Sequence, residues 1–105
     1  MTPEGRVKEA LKKRLRKMGV HVYYFSPLTG GYGKSGVPDI ICCIHGRFVG
    51  IECKSGSARP TELQKAQMYK IHIAGGLTFI VNEGNFGGVM DTLETLSTIW
   101  KSNER

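Results

Sequence analysis

Residues 38–44 (Pro-Asp-Ile-Ile-Cys-Cys-Ile) and 47–54 (Arg-Phe-Val-Gly-Ile-Glu-Cys-Lys) are two largely apolar runs separated only by His45-Gly46. Short runs rich in β-branched residues, broken by a two-residue turn that contains glycine, predict a β-hairpin. If Ile44 and Arg47 flank that turn, the numbers of paired residues sum to 91. Asp39 then stands opposite Glu52, with Cβ atoms about 5 Å apart. Lys54 lies two residues beyond Glu52 and so points to the same face. Like charges placed opposite one another are unfavourable unless a cation sits between them. A hairpin that ends in two carboxylates and a lysine therefore suggests a site for a hard divalent ion.

The remaining elements arrange themselves around this hairpin. Thr2-Pro3-Glu4 has the form of a helix start, with Thr as N-cap and Pro in the first turn. Val7, Leu11, Leu15 and Met18 follow at helical spacing, with Glu4 on the same stripe, and Gly19 closes the element. Residues 20–25, Val-His-Val-Tyr-Tyr-Phe, predict a strand, and the tyrosines and Phe25 are expected in the core. A glycine-rich loop spans 26–36. Thr61 to Gly75 predicts a second helix, and 77–81 a fourth strand. Asp91-Thr92-Leu93-Glu94 resembles a capping box that opens a last helix, after a loop over 82–88. The order is α-β-β-β-α-β-α. Three strands in a meander, a crossover helix and a fourth strand imply an α/β fold with a mixed sheet flanked by helices.

Bulk properties narrow the function. The 105 residues are expected to form a single domain, 1–105, large enough to need no disulfide or metal for folding. Fifteen Lys and Arg against nine Asp and Glu give a net charge of +6, which favours an anionic partner such as nucleic acid. No apolar run reaches the length of a membrane span, and the N-terminus lacks an apolar signal region, so a cytoplasmic protein with no membrane partner is expected. Cys42, Cys43 and Cys53 have no zinc-binding spacing and are expected to be buried hydrophobes. His21, His45 and His72 fall at no ligand or triad spacing, and nothing orients a serine or cysteine nucleophile.

Gly36-Val37-Pro38-Asp39 followed by Ile51-Glu52-Cys53-Lys54 resembles the signature of the PD-(D/E)xK nuclease superfamily. More narrowly, the chain resembles the small VRR-NUC domains, with Glu4 matching the first-helix glutamate and Gln64 and Gly75-Gly76 matching the second-helix motif. The resemblance implies a restriction-endonuclease-like fold and a metal-dependent endonuclease using Mg²⁺ or Mn²⁺. Asp39 and Glu52 would be metal ligands, with the backbone carbonyl of Cys53 as a third. Lys54 would orient the hydrolytic water and stabilise charge on the phosphate. Glu4 would reach the metal directly or through water, and Gln64 would support the site from the second helix. Both also have sufficient local reasons. An acid in a first helical turn is stabilising by itself, and Thr61-x-x-Gln64 is a capping box.

Tyr32, Lys34 and Ser35, just before Asp39, are candidates for touching DNA, and Arg59 and Lys65 flank the site from the other side. Free-standing members of such families act as homodimers on branched DNA, including four-way junctions. For phage-encoded members the host cytoplasm is the site of action. The alternatives are a flap or duplex nuclease and a non-catalytic nucleic-acid-binding domain. Leu93, Leu96, Ile99 and Trp100 of the last helix are one expected dimer contact.

Overall fold

The hairpin forms in the register that its turn length dictates. In the computed structural model, which describes residues 1–28 and 35–99, β2 (Ile40–Ile44) pairs antiparallel with β3 (Arg47–Cys53), Ile44 opposite Arg47 and Ile40 opposite Ile51. His45 and Gly46 both take positive φ, 50° and 88°, as a tight hairpin with the natural strand twist requires. β1 (Val22–Phe25) pairs antiparallel with β2, and β4 (Leu77–Val81) pairs parallel with β3. The sheet order is β1-β2-β3-β4, so the expected mixed α/β sheet with flanking helices, of the restriction-endonuclease type, is present.

Alternation along the strands sorts the residues onto two faces. Ile40, Cys42 and Ile44 on β2 and Val49, Ile51 and Cys53 on β3 pack into one core with α1 (Pro3–Lys17) and α3 (Phe86–Thr98). α1 contributes Val7, Leu11 and Leu15, one stripe at helical spacing, and begins with Thr2 Oγ1 accepting from Gly5 N at 2.9 Å. α2 (Glu62–Ile73) lies on the opposite face and buries no residue completely. Gly50 lies beneath it and helps it approach β3 closely: a Cβ there would stand 2.9 Å from Ile71 Cδ1.

Several sequence expectations need correction. Residues 19–21 form a short 3-10 turn, so β1 starts at Val22 rather than Val20. Tyr24 packs against the core, but Tyr23 and Phe25 point to the other face and are 70% and 47% exposed. α3 starts at Phe86, five residues before the expected cap. Asn82 and Asn85 exchange side-chain-to-backbone hydrogen bonds of 2.8 and 3.0 Å, and that turn launches the helix with Gly87 and Gly88 in its first turn. His21 and His45 do come together, stacked with centroids 4.4 Å apart, because the β1–β2 pairing brings distant residues side by side. Leu93 is wholly buried and Leu96 packs on the core, so this helix turns its apolar face inward and does not offer those residues to a second copy. Ile99 is 48% exposed, and Trp100 lies outside the described residues.

Gly36 ties the motif to α2. It has φ +80°, and a Cβ there would stand 2.6 Å from the carbonyl carbon and oxygen of Leu63. A side chain at 36 meets both left-handed backbone strain and helix backbone that cannot step aside. Gly36→Ala is expected to cost about 2 kcal/mol or more, a drop of roughly 10 °C in Tm. Thermal unfolding checks it, and an unchanged Tm would show that the loop does not lie against α2.

Candidate active site

The β2–β3 ladder stops at Ile40–Ile51, and Asp39 sits in the bend just outside it. Asp39 therefore does not pair with Glu52 across the ladder. Its carboxylate turns instead to the end of β3, where Oδ2 accepts a hydrogen bond from Cys53 N at 2.9 Å. Glu52 projects from β3 onto the α2 face and is 1% exposed. Pro3 and Glu4 open α1 at the same end of the sheet. One oxygen each from Glu4, Asp39 and Glu52 lies within 4.8 Å of the other two. Three acids far apart in sequence thus converge, Glu4 among them.

The partners of Glu52 are specific. Its Oε2 accepts from Gln64 Nε2 at 2.8 Å and pairs with the Lys54 ammonium at 3.3 Å. Gln64 Oε1 meanwhile accepts from Thr61 N at 2.8 Å, and Gln64 N donates to Thr61 Oγ1 at 3.2 Å. The capping box and the bond to Glu52 are made by one side chain, so the two explanations of Gln64 coexist. Lys54 is itself 8% exposed, and its N–H donates to Val81 O at 2.9 Å, extending the β3–β4 pairing by one residue.

Buried charge without full pairing raises a carboxyl's pKa. Burial first, and then the adjacent Asp39, push the Glu52 carboxyl up to about 7, with Lys54 pulling the other way. Glu52 Oε1 is buried and makes no hydrogen bond among the described residues. An orphaned carboxylate oxygen, crowded by two further carboxylates, is what a hard cation with oxygen ligands satisfies. The donor set fits such an ion: all-oxygen, anionic and partly open to water. Cys53 faces the core, and burial pushes its thiol up to about 12, as it does that of Cys42. Neither supplies a thiolate nucleophile.

The other predicted residues lie further out. Ser35 is exposed beside Gly36, and Arg59 and Lys65 are exposed where α2 begins. Tyr32 and Lys34 lie outside the described residues. A residue not singled out from sequence is Glu83. It accepts from Gly56 N at 2.9 Å and from the Ser55 hydroxyl, bracing the turn immediately after Lys54. The signal was its position just after the strand that pairs in parallel with the Glu52-Cys53-Lys54 end of β3. If Glu52 is a metal ligand, Gln64→Ala, which removes its hydrogen-bond donor, should lower activity about 10- to 100-fold. Activity assays with melting controls test this, and a full rate would leave Gln64 with capping alone.

A mixed sheet with helices on both faces, carrying two acids and a lysine at the open end of a hairpin and a third acid from the first helix, defines a PD-(D/E)xK nuclease-like domain. The chain belongs to the archaeal Holliday junction resolvase (Hjc) family, whose model matches residues 4–81. Members of that family are nucleases. The match reaches the indicated superfamily through the resolvases and does not bear on the VRR-NUC branch. No curated protein matches the chain. Among the described residues, no helix is long and apolar enough to cross a membrane.

Proposed function

We propose that the chain is a homodimeric, Mg²⁺- or Mn²⁺-dependent endonuclease that resolves four-way DNA junctions, acting in the cytoplasm. The observation that carries the metal-dependent half is the buried Oε1 of Glu52, without a hydrogen-bond partner among the described residues, beside Asp39 and Glu4. Family membership and the net charge of +6 support the DNA half.

In this reading Asp39, Glu52 and the Cys53 carbonyl hold the ion, with Glu4 bound directly or through water. The chemistry a divalent ion supplies at such a site is a more acidic bound water and neutralised charge on the phosphate. Glu52 is held in place by Gln64 and Lys54, and Asp39 by the Cys53 N–H. The Lys54 ammonium is fixed where charge develops on the phosphate, and it orients the attacking water. Ser35, Arg59 and Lys65, with Tyr32 and Lys34, contact the DNA on either side of the cut.

Two incisions across a two-fold junction call for two sites related by a two-fold axis. Several apolar side chains are exposed on the sheet face opposite α1 and α3 and on the helix that covers it. Phe25 and Phe48 on the strands are 47% and 49% exposed, and Leu63 and Ile73 on α2 are 61% and 65% exposed. We assign the second copy to this face. Phe48→Glu with Ile73→Glu should shift the protein to monomer in sedimentation velocity, and a native dimer in that variant would move the interface elsewhere.

The function itself is tested by a panel of four-way junction, flap and duplex DNAs, cut with and without EDTA. Junctions cut in symmetric pairs, and only with free divalent ion, are the expected result. Equal cutting of linear duplex overturns the substrate, and cutting in EDTA overturns the metal.

A further inference from the structure

We propose that the groove between α2 and β4 receives an unstacked nucleotide of the cut strand, one or two residues from the scissile phosphate. This rests on the nuclease reading above and names how a branch point would be told from duplex. The groove is open to solvent, offers about 390 Å³, within the range of ligand sites, and is lined by Arg59, Lys65, Met68, Tyr69, His72 and Ile80.

Its position ties it to the carboxylates. Ile80 is the β4 register partner of Glu52, so it lies one strand away, about 4.8 Å, on the same face. Lys65 directly follows Gln64, which holds Glu52. A strand whose phosphate lies at the carboxylates therefore has its neighbouring nucleotide within reach of the groove.

Its chemistry is that of a nucleotide. Met68 and Ile80 offer an apolar floor to the flat face of a base, and Tyr69 offers a ring to stack on. Arg59 and Lys65 offer cations to the flanking phosphates, and among the described residues no carboxylate lines the groove. Lys65 is held at 3.1 Å by Glu62, but both side chains are solvent-exposed, and such a pair yields readily to a phosphate. A base paired within duplex must first leave its stack, which costs several RT and costs least where pairing is already broken. A groove that accepts only an unstacked base therefore favours a branch point over intact duplex, with no reading of sequence.

The test uses four-way junctions carrying one abasic residue at successive positions on each side of the cut. The expected result is a loss of about 10- to 100-fold in kcat/KM at one position on one side, as for removal of a stacked base. That dependence should vanish in Met68→Ala with Ile80→Ala. In EDTA, 2-aminopurine at the same position should brighten on binding the wild-type protein, a readout that needs neither cleavage nor a variant. Junctions cut normally with no position-dependent loss, a loss that persists in the double variant, or 2-aminopurine that stays quenched would each overturn the groove and leave the nuclease standing. A protein that cuts no branched DNA overturns both.

Discussion

Asp39→Ala and Glu52→Ala proteins are expected to cut junction DNA at less than about a thousandth of the native rate, a loss at or beyond that from removing one transition-state stabiliser. Junction binding should persist or tighten, because a carboxylate facing a phosphate repels it. The reason lies in the convergence at the end of the sheet. Among the described residues Glu52 Oε1 has no hydrogen-bond partner, and the Asp39 carboxylate, oriented by the Cys53 N–H on Oδ2, keeps lone pairs free for a ligand. On the proposed reading, removing either acid would leave a divalent ion too few donors. Calorimetric titration with Mn²⁺ should show its heat of binding disappear alongside activity. A Glu52→Ala protein that cuts at the native rate ends the assignment.

The same carboxylate gives a pH prediction without metal. The Glu52 carboxyl is raised from its ordinary 4.5 to about 7 in the folded protein. Between those values the folded state binds more protons at this site than the unfolded state, so stability in EDTA falls as pH rises through that window. Glu52→Gln removes the titration. Its Tm in EDTA should exceed that of the native protein at pH 8, with the difference shrinking toward pH 5. A native protein that is no less stable at pH 8 than the variant would show that Glu52 is comfortably ionised without an ion.

Lys54→Ala is expected to slow cleavage at least about 100-fold while leaving Mn²⁺ binding in place. Lys54 is a buried cation, held by the last strand pairing and by the turn that Glu83 braces, and its ammonium rests on Glu52 at 3.3 Å. A cation costs free energy to keep in such a position and contributes most when negative charge builds beside it. The separation of effects is the diagnostic: metal affinity retained, rate lost. A Lys54→Ala protein with a nearly native rate would place the stabilising charge elsewhere, and loss of Mn²⁺ binding would make Lys54 a support for Glu52 only.

Much of the fold was legible because its rules are local. Two turn residues set the β2–β3 register, Thr2 and Thr61 announced their helices, and alternation placed Cys53 in the core with Glu52 and Lys54 opposite. Reading failed in two ways. A local turn was missed, the Asn82–Asn85 exchange that opens α3 early, and a distant contact intervened, the strand pairing that stacks His21 on His45. Tyr23 and Phe25 were misjudged because aromatic strand residues look like core until the sheet's covered area is known.

By itself the amino-acid order determined the element order, the hairpin register and the chemistry on offer: two acids and a lysine at one hairpin's end. Whether a third acid joined them was decided only when α1 packed on the sheet and brought Glu4 within 4.8 Å of residues 35 and 48 positions away. The choice of Gln64 as the partner of Glu52, and the face that α2 leaves open, depended likewise on how closely Gly36 and Gly50 let that helix approach. Register and capping act over a few residues and can be read along the chain. Side-chain convergence depends on how helices settle on a sheet, and packing alone fixes that.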